Sequence, residues 1–118
     1  MNEQPFRRGD VVVCSLAGDY GKPRPALVVQ SDLFNDTHAS VVLCPISSEI
    51  TGLTMFRIGI AASLDNGLKK NSEVMVDKLT AASRARIRRR IGHLSLGEIG
   101  LVDQALRIWL ELDQTRNS

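Results

Sequence analysis

Every apolar run in this chain is short, and glycine, proline or charge interrupts it before it reaches helical length. Residues 10–16 (Asp-Val-Val-Val-Cys-Ser-Leu) follow Gly9 and precede Gly18, and comparable runs occupy residues 25–30, 40–44, 54–60 and 73–79. Runs of this length, rich in Val and Ile and closed by turn residues, predict strands. None approaches the roughly 20 apolar residues of a bilayer-spanning helix. Aromatic residues are 4% of the chain, so Val, Leu, Ile and Ala must fill the core. Short strands and a small aliphatic core predict one curled antiparallel sheet or barrel.

Within that frame, residues 17–25 read as a loop, because Gly18, Gly21, Pro23 and Pro25 resist regular pairing. Pro45 is expected to close the third strand. In the fourth, Arg57 points outward if Phe56 and Ile58 point in, and in the fifth Met75, Asp77 and Leu79 share a face. Ser83 is placed to cap a short helical turn through Arg86, and residues 88–94 read as a sixth strand, with a helix over 81–90 as the competing assignment. Near the end, Ser95-Leu-Gly-Glu98 matches a capping box. Ile99, Val102, Leu106 and Trp109 then share a helical face, flanked by Leu101, Ala105 and Ile108. The reading is mainly β with short α: a single domain over 1–118 with a C-terminal amphipathic helix.

Charge is unevenly spread. Arg84, Arg86, Arg88, Arg89 and Arg90 are five of 15 basic residues; without them the chain has 10 basic and 13 acidic residues. No acid occurs from Lys78 through Gly97. Such a cluster fits a polyanion-facing patch or a solvated charged face. Cys14 and Cys44 lie in apolar runs and form no CxxC pair, which fits buried reduced thiols. Arg7-Arg8 precede an apolar run that Gly9-Asp10 interrupt, so no secretory signal is read, and a cytoplasmic, non-membrane protein is expected. His38 and His93 are far apart and lack metal-site spacing, and neither a nucleophile elbow nor a phosphate loop is present. Neither a metal nor a cofactor is expected.

What remains is arginine at strand ends, hydroxyls and one strand carboxylate. Arg24 lies between two prolines that stiffen its backbone, which presents a planar cationic fork suited to phosphate. Ser47 and Ser48 follow Pro45-Ile46, and Asp77 sits in the fifth run. By themselves these residues read as a surface salt bridge and ordinary strand-end serines, and they identify no activity.

In order, Arg8-Gly-Asp-Val-Val-Val, Arg24-Pro-Ala-Leu-Val-Val-Gln30, Cys44-Pro-Ile-Ser47, Gly67-Leu-Lys-Lys-Asn-Ser-Glu-Val-Met-Val-Asp77 and Arg90-Ile-Gly-His-Leu-Ser95 resemble the blocks of the MazF/PemK family. These are mRNA-cleaving toxins of type II toxin–antitoxin systems. The resemblance implies a small SH3-like β-barrel of the CcdB/PemK/MazF type and a homodimer. It also implies metal-independent, sequence-specific cleavage of single-stranded mRNA by the RNA's own 2′-OH, leaving 2′,3′-cyclic phosphate and 5′-hydroxyl ends. It puts the catalytic arginine on Arg24, its partner hydroxyl on Ser47 and an acidic residue, a candidate base, on Asp77. RNA contacts are expected from Asp19, Tyr20, Lys22, Gln30, Ser48, Lys69, Lys70, Arg84 and Arg86. A cognate antitoxin with an acidic or disordered segment is the expected protein partner, and the arginine cluster suits either that segment or the RNA backbone. Ser47 stands where the family usually has threonine, and Met75 where one branch has the arginine that pairs with its aspartate. The loop after the first strand is also shorter than in many members. The alternatives are a CcdB-like gyrase inhibitor and a relative that binds RNA or antitoxin without cutting.

Overall fold

A computed structural model of the chain describes residues 6–16 and 22–112. Seven strands form one antiparallel sheet: β1 (Asp10–Ser15), β2 (Pro23–Val28), β3 (Ser40–Ser47), β4 (Arg57–Ile60), β5 (Ser72–Met75), β6 (Thr80–Ser83) and β7 (Ile87–His93). A one-turn helix, α1 (Asp32–Asn35), follows β2, and 3-10 turns cover Val76–Lys78 and Arg84–Arg86. The longer helix α2 (Leu96–Leu110) closes the described chain.

The strand order is β4-β5-β3-β2-β1-β7, with β6 also paired to β3. β3 is the pivot. Its residues Ser40–Leu43 pair with β6, and Ile46 and Ser47 pair with β5, so one strand passes between two partners and bends the sheet. The result is barrel-like but open, as the short-strand pattern predicts.

Both faces of the central strands are covered, which is why their sequences are continuously apolar rather than alternating. Val11, Leu27, Cys44 and Ile46 join one cluster, while Val12, Cys14, Val28 and Leu43 join another. α2 adds Val102, Ala105 and Leu106 to the first. Burial pushes the Cys44 thiol up to about 12 and raises that of Cys14, so both stay protonated at neutral pH.

Several boundaries differ from the sequence reading. The proposed loop ends earlier, because β2 begins at Pro23 and pairs with β1 through Cys14↔Arg24 and Ser15↔Pro23. The β2–β3 ladder covers only Ala26–Val28, so both prolines lie outside it, where they are tolerated. Likewise Pro45 does not end β3; it lies where β3 has left β6 and not yet met β5. β5 stops at Met75, so Asp77 lies in a 3-10 turn rather than a strand. Residues 87–93 form a strand, not a helix, and β6 and α1 are additional elements.

Ser83 caps the Arg84–Arg86 turn as expected, accepting from the Ala85 N–H at 3.3 Å. The capping box of α2 is complete: the Glu98 N–H donates to Ser95 Oγ at 3.1 Å and the Ser95 N–H to Glu98 Oε1 at 2.9 Å. The apolar face of α2 is wider than the sheet covers. Trp109 packs against Phe56 in a tilted pair, 5.5 Å between ring centroids, yet stays 47% exposed, and Leu101 and Ile108 are also exposed. Among the described residues no helix is long and apolar enough to cross a membrane.

Candidate functional site

Where β3 turns from β6 toward β5, an open groove of about 1430 Å³ runs across the face of the sheet. Arg24 enters it from the start of β2, and Ser47 and Ser48 from the end of β3. The β2–β3 ladder pairs Ala26 with Pro45, so Arg24 and Ser47 each lie two residues beyond its last pair, at the same end. The Ser47 oxygen accepts the Glu49 N–H at 3.0 Å. This occupies a lone pair and leaves the O–H to donate.

The segment before β5 supplies Lys69 and Lys70. It is pinned by Asn66, buried, whose Oδ1 accepts from the Ser63 and Leu68 N–H groups and whose Nδ2 donates to the Ala61 carbonyl. Lys78, Arg86 and Arg89 complete the rim, so among the described residues the groove carries six cations against one carboxylate, Glu49. That imbalance in a concave surface focuses positive potential on whatever enters. Among the described residues no three His, Cys, Asp or Glu side chains converge as metal ligands would.

The arginine cluster does not act as one patch. Arg86 and Arg89 face the groove. Arg90 pairs with the buried Asp10 at 3.0 Å, and Arg88 Nε donates to Ser15 Oγ at 3.3 Å. Arg84, an expected RNA contact, is instead spent on structure: it donates to the His38 and Asn35 carbonyls and lies over the Phe6 ring at 5.3 Å. Gln30 is likewise engaged within the fold. Its side chain donates to Asn35 Oδ1 and accepts the Val42 N–H, which ties α1 to β3 away from the groove. Lys22 is exposed just before β2, outside the groove lining. Asp19 and Tyr20 lie outside the described residues.

Asp77 is not arranged as a base. Arg57 holds it with two parallel bonds, Nε to Oδ1 at 2.6 Å and Nη2 to Oδ2 at 3.0 Å. Those hydrogen bonds keep its carboxyl below the usual range and raise the guanidinium. Asp77 is also absent from the groove lining. Met75 does stand in place of that branch's arginine, and Asp77 is paired from elsewhere: Arg57, opposite Met75 in the β4–β5 ladder, reaches it across strands.

Three residues to which sequence reasoning gave no role matter here: Arg57, Lys78 and Glu73. The Glu73 carboxylate is 3% exposed and accepts from Thr51 N–H, Thr51 Oγ1 and Gly52 N–H at 2.9–3.1 Å. Burial pushes its carboxyl up, but the bonds from Gly52 and Thr51 outweigh that and hold it below the ordinary value. A carboxylate inside an apolar run was the available signal, since buried charge requires partners.

Asp77 and Glu73 therefore both titrate lower in the folded chain than unfolded. The stability this contributes is present above the unfolded values, near pH 4, and is lost as pH falls through the folded ones. The melting temperature is expected to hold above about pH 5 and to fall below about pH 4, with Asp77→Asn flattening part of the decline. Identical acid profiles for the variant and the unsubstituted protein would remove Asp77 from this account.

Comparison with known proteins bears on the same residues. A family model described as PemK-like, MazF-like toxin of type II toxin–antitoxin system matches residues 7–110. The chain is 37% identical over 106 residues to the probable endoribonuclease MazF of Mycolicibacterium smegmatis, covering 89% of this chain and 96% of that one. Its fold is similar to that of the Mycobacterium tuberculosis toxin MazF-mt6, with a TM-score of 0.77, 23% identity and coverage of 89% and 99%. A MazE-MazF crystal structure from Deinococcus radiodurans aligns with a TM-score of 0.76 at 22% identity, covering 92% of this chain and 98% of that one.

Proposed function

Because the chain belongs to the PemK-like, MazF-like family of toxins of type II toxin–antitoxin systems, we propose that it is an endoribonuclease whose groove binds and cuts single-stranded mRNA. The observation that supports this reading is that Arg24 and Ser47 line one groove in which the described residues supply six cations and one carboxylate. Cleavage by the RNA's own 2′-OH needs no enzyme nucleophile. It needs alignment of the 2′-oxygen with the phosphorus, transfer of the 2′-OH proton (through water) to the leaving 5′-oxygen as the P–O5′ bond breaks, and stabilisation of the charge that gathers on the non-bridging oxygens.

Arg24 suits the second task. Its guanidinium stays charged at any physiological pH and can grip two phosphate oxygens in parallel. Ser47, with its oxygen already accepting from Glu49, donates its O–H to the phosphate or to the 2′-oxygen. Lys69, Lys70, Lys78, Arg86 and Arg89 hold flanking phosphates. Asp77, tied up by Arg57, supports the turn that carries Lys78 rather than taking a proton.

The protein works in the cytoplasm, as a homodimer, with an antitoxin as its inhibitor. The exposed apolar side of α2, including Leu101 and Ile108, supports self-association. An acidic antitoxin segment complements the same groove as the RNA.

The test is incubation with a long unstructured RNA in EDTA, with mapping of ends. Discrete cuts bearing 5′-hydroxyl and 2′,3′-cyclic phosphate ends are expected. A DNA of the same sequence, lacking the 2′-OH, is expected to bind and remain intact. Failure to cut, or cutting that EDTA abolishes, would overturn the reading.

A further inference from the structure

We propose that Glu73 is a positioning residue for the Ser47 hydroxyl, acting through the 49–53 segment; the inference rests on the nuclease reading above. Glu73 lies opposite Ser47 in the β3–β5 ladder. A carboxylate this buried is rare without compensation, and here one dipeptide supplies it: Thr51 N–H at 3.1 Å, Thr51 Oγ1 at 2.9 Å and Gly52 N–H at 2.9 Å. Thr51 Oγ1 also accepts the Leu53 N–H at 3.2 Å. The segment between β3 and β4 has no ladder of its own, so these bonds fix its path.

That path determines where the Glu49 amide points. Glu49 N–H donates to Ser47 Oγ at 3.0 Å and so selects the rotamer of a side chain that has little else to hold it. Serine lacks the β-branch that restricts χ1 in threonine, so its hydroxyl direction must be set from outside. The restraints close a ring: Ser47 to Glu73 through the ladder, Glu73 to Thr51, and Glu49 back to Ser47. Glu73 thus governs a hydroxyl it does not touch.

The experiment combines kinetics with amide exchange. Glu73→Gln retains shape but cannot accept all three bonds. Its kcat on RNA is expected to fall about tenfold with KM within about twofold of the unsubstituted value, as for a misplaced catalytic group. Exchange of the Glu49 amide is expected to accelerate. In a Ser47→Ala background, Glu73→Gln is expected to have no further effect, because the hydroxyl it positions is gone. Thr51→Val, which removes one of the three bonds to the carboxylate together with the Leu53 N–H bond to Thr51 Oγ1, carries the same comparison should Glu73→Gln not fold. Additive effects in the double variant, an unchanged kcat, or unaltered Glu49 exchange would overturn the positioning role. Absence of cleavage by the unsubstituted protein would overturn the nuclease reading instead, a failure distinct from these.

Discussion

Arg24→Ala is expected to lower single-turnover RNA cleavage by about 10²–10³ while weakening RNA binding by less than about tenfold. The asymmetry follows from charge. In the ground state Arg24 is one of six cations that the described residues bring to the groove, and five of these remain after the substitution. In the transition state the phosphate gains negative charge at one place, and only a donor already aimed there stabilises the increase. Arg24→Lys separates charge from geometry. It keeps the cation but loses the parallel fork, so it should restore binding fully and cleavage only in part. Binding is measured by fluorescence anisotropy on an RNA whose 2′-OH at the cut site is replaced by hydrogen, and cleavage on the natural RNA. A cleavage loss matched by an equal loss of affinity would make Arg24 a phosphate anchor rather than part of the catalytic apparatus.

How much of this was legible in the sequence depended on whether a residue's role is decided locally. The α2 capping box and the Ser83 cap follow from side chains bonding backbone within three residues, and both are present as read. The proline positions are different. Whether Pro23, Pro25 or Pro45 breaks a strand depends on which edge lacks a partner, and pairing over β1, β2 and β3 decides that. Asp77 illustrates the same limit. Its partner Arg57 is 20 residues away and arrives through the β4–β5 ladder, so spacing could not reveal it. The arginine cluster was visible as composition but not as direction. Arg86 and Arg89 turn into the groove while Arg84 and Arg90 are used on carbonyls and on Asp10, a division set by local twist and by what lies beside each residue. Glu73 was readable in principle, as a charge without an evident partner in an apolar run.

Gly67→Ala is expected to be the most damaging single-methyl addition in the groove wall, costing about 3 kcal/mol and lowering the melting temperature by more than about 10 °C. Two effects combine. Gly67 has φ of 72°, where a side chain is strained, and a Cβ there would sit 2.2 Å from the Ile91 carbonyl oxygen. That neighbour is backbone of β7, so relief requires moving a strand or the segment itself. Gly52 isolates the first effect. Its φ is 76°, but a Cβ would meet nothing within 4 Å. Gly52→Ala should therefore cost only the left-handed penalty, about 1 kcal/mol. The difference between the two variants measures how tightly the Lys69–Lys70 segment is pressed against β7. Function should follow the same order. If Gly67→Ala relaxes by lifting that segment, both lysines leave the rim and RNA affinity falls, whereas Gly52→Ala leaves them in place. Equal melting shifts in the two variants would mean that the segment yields without resistance. The groove's shape would then owe little to its packing on β7, and its cationic rim would have to be organised by the RNA as it binds.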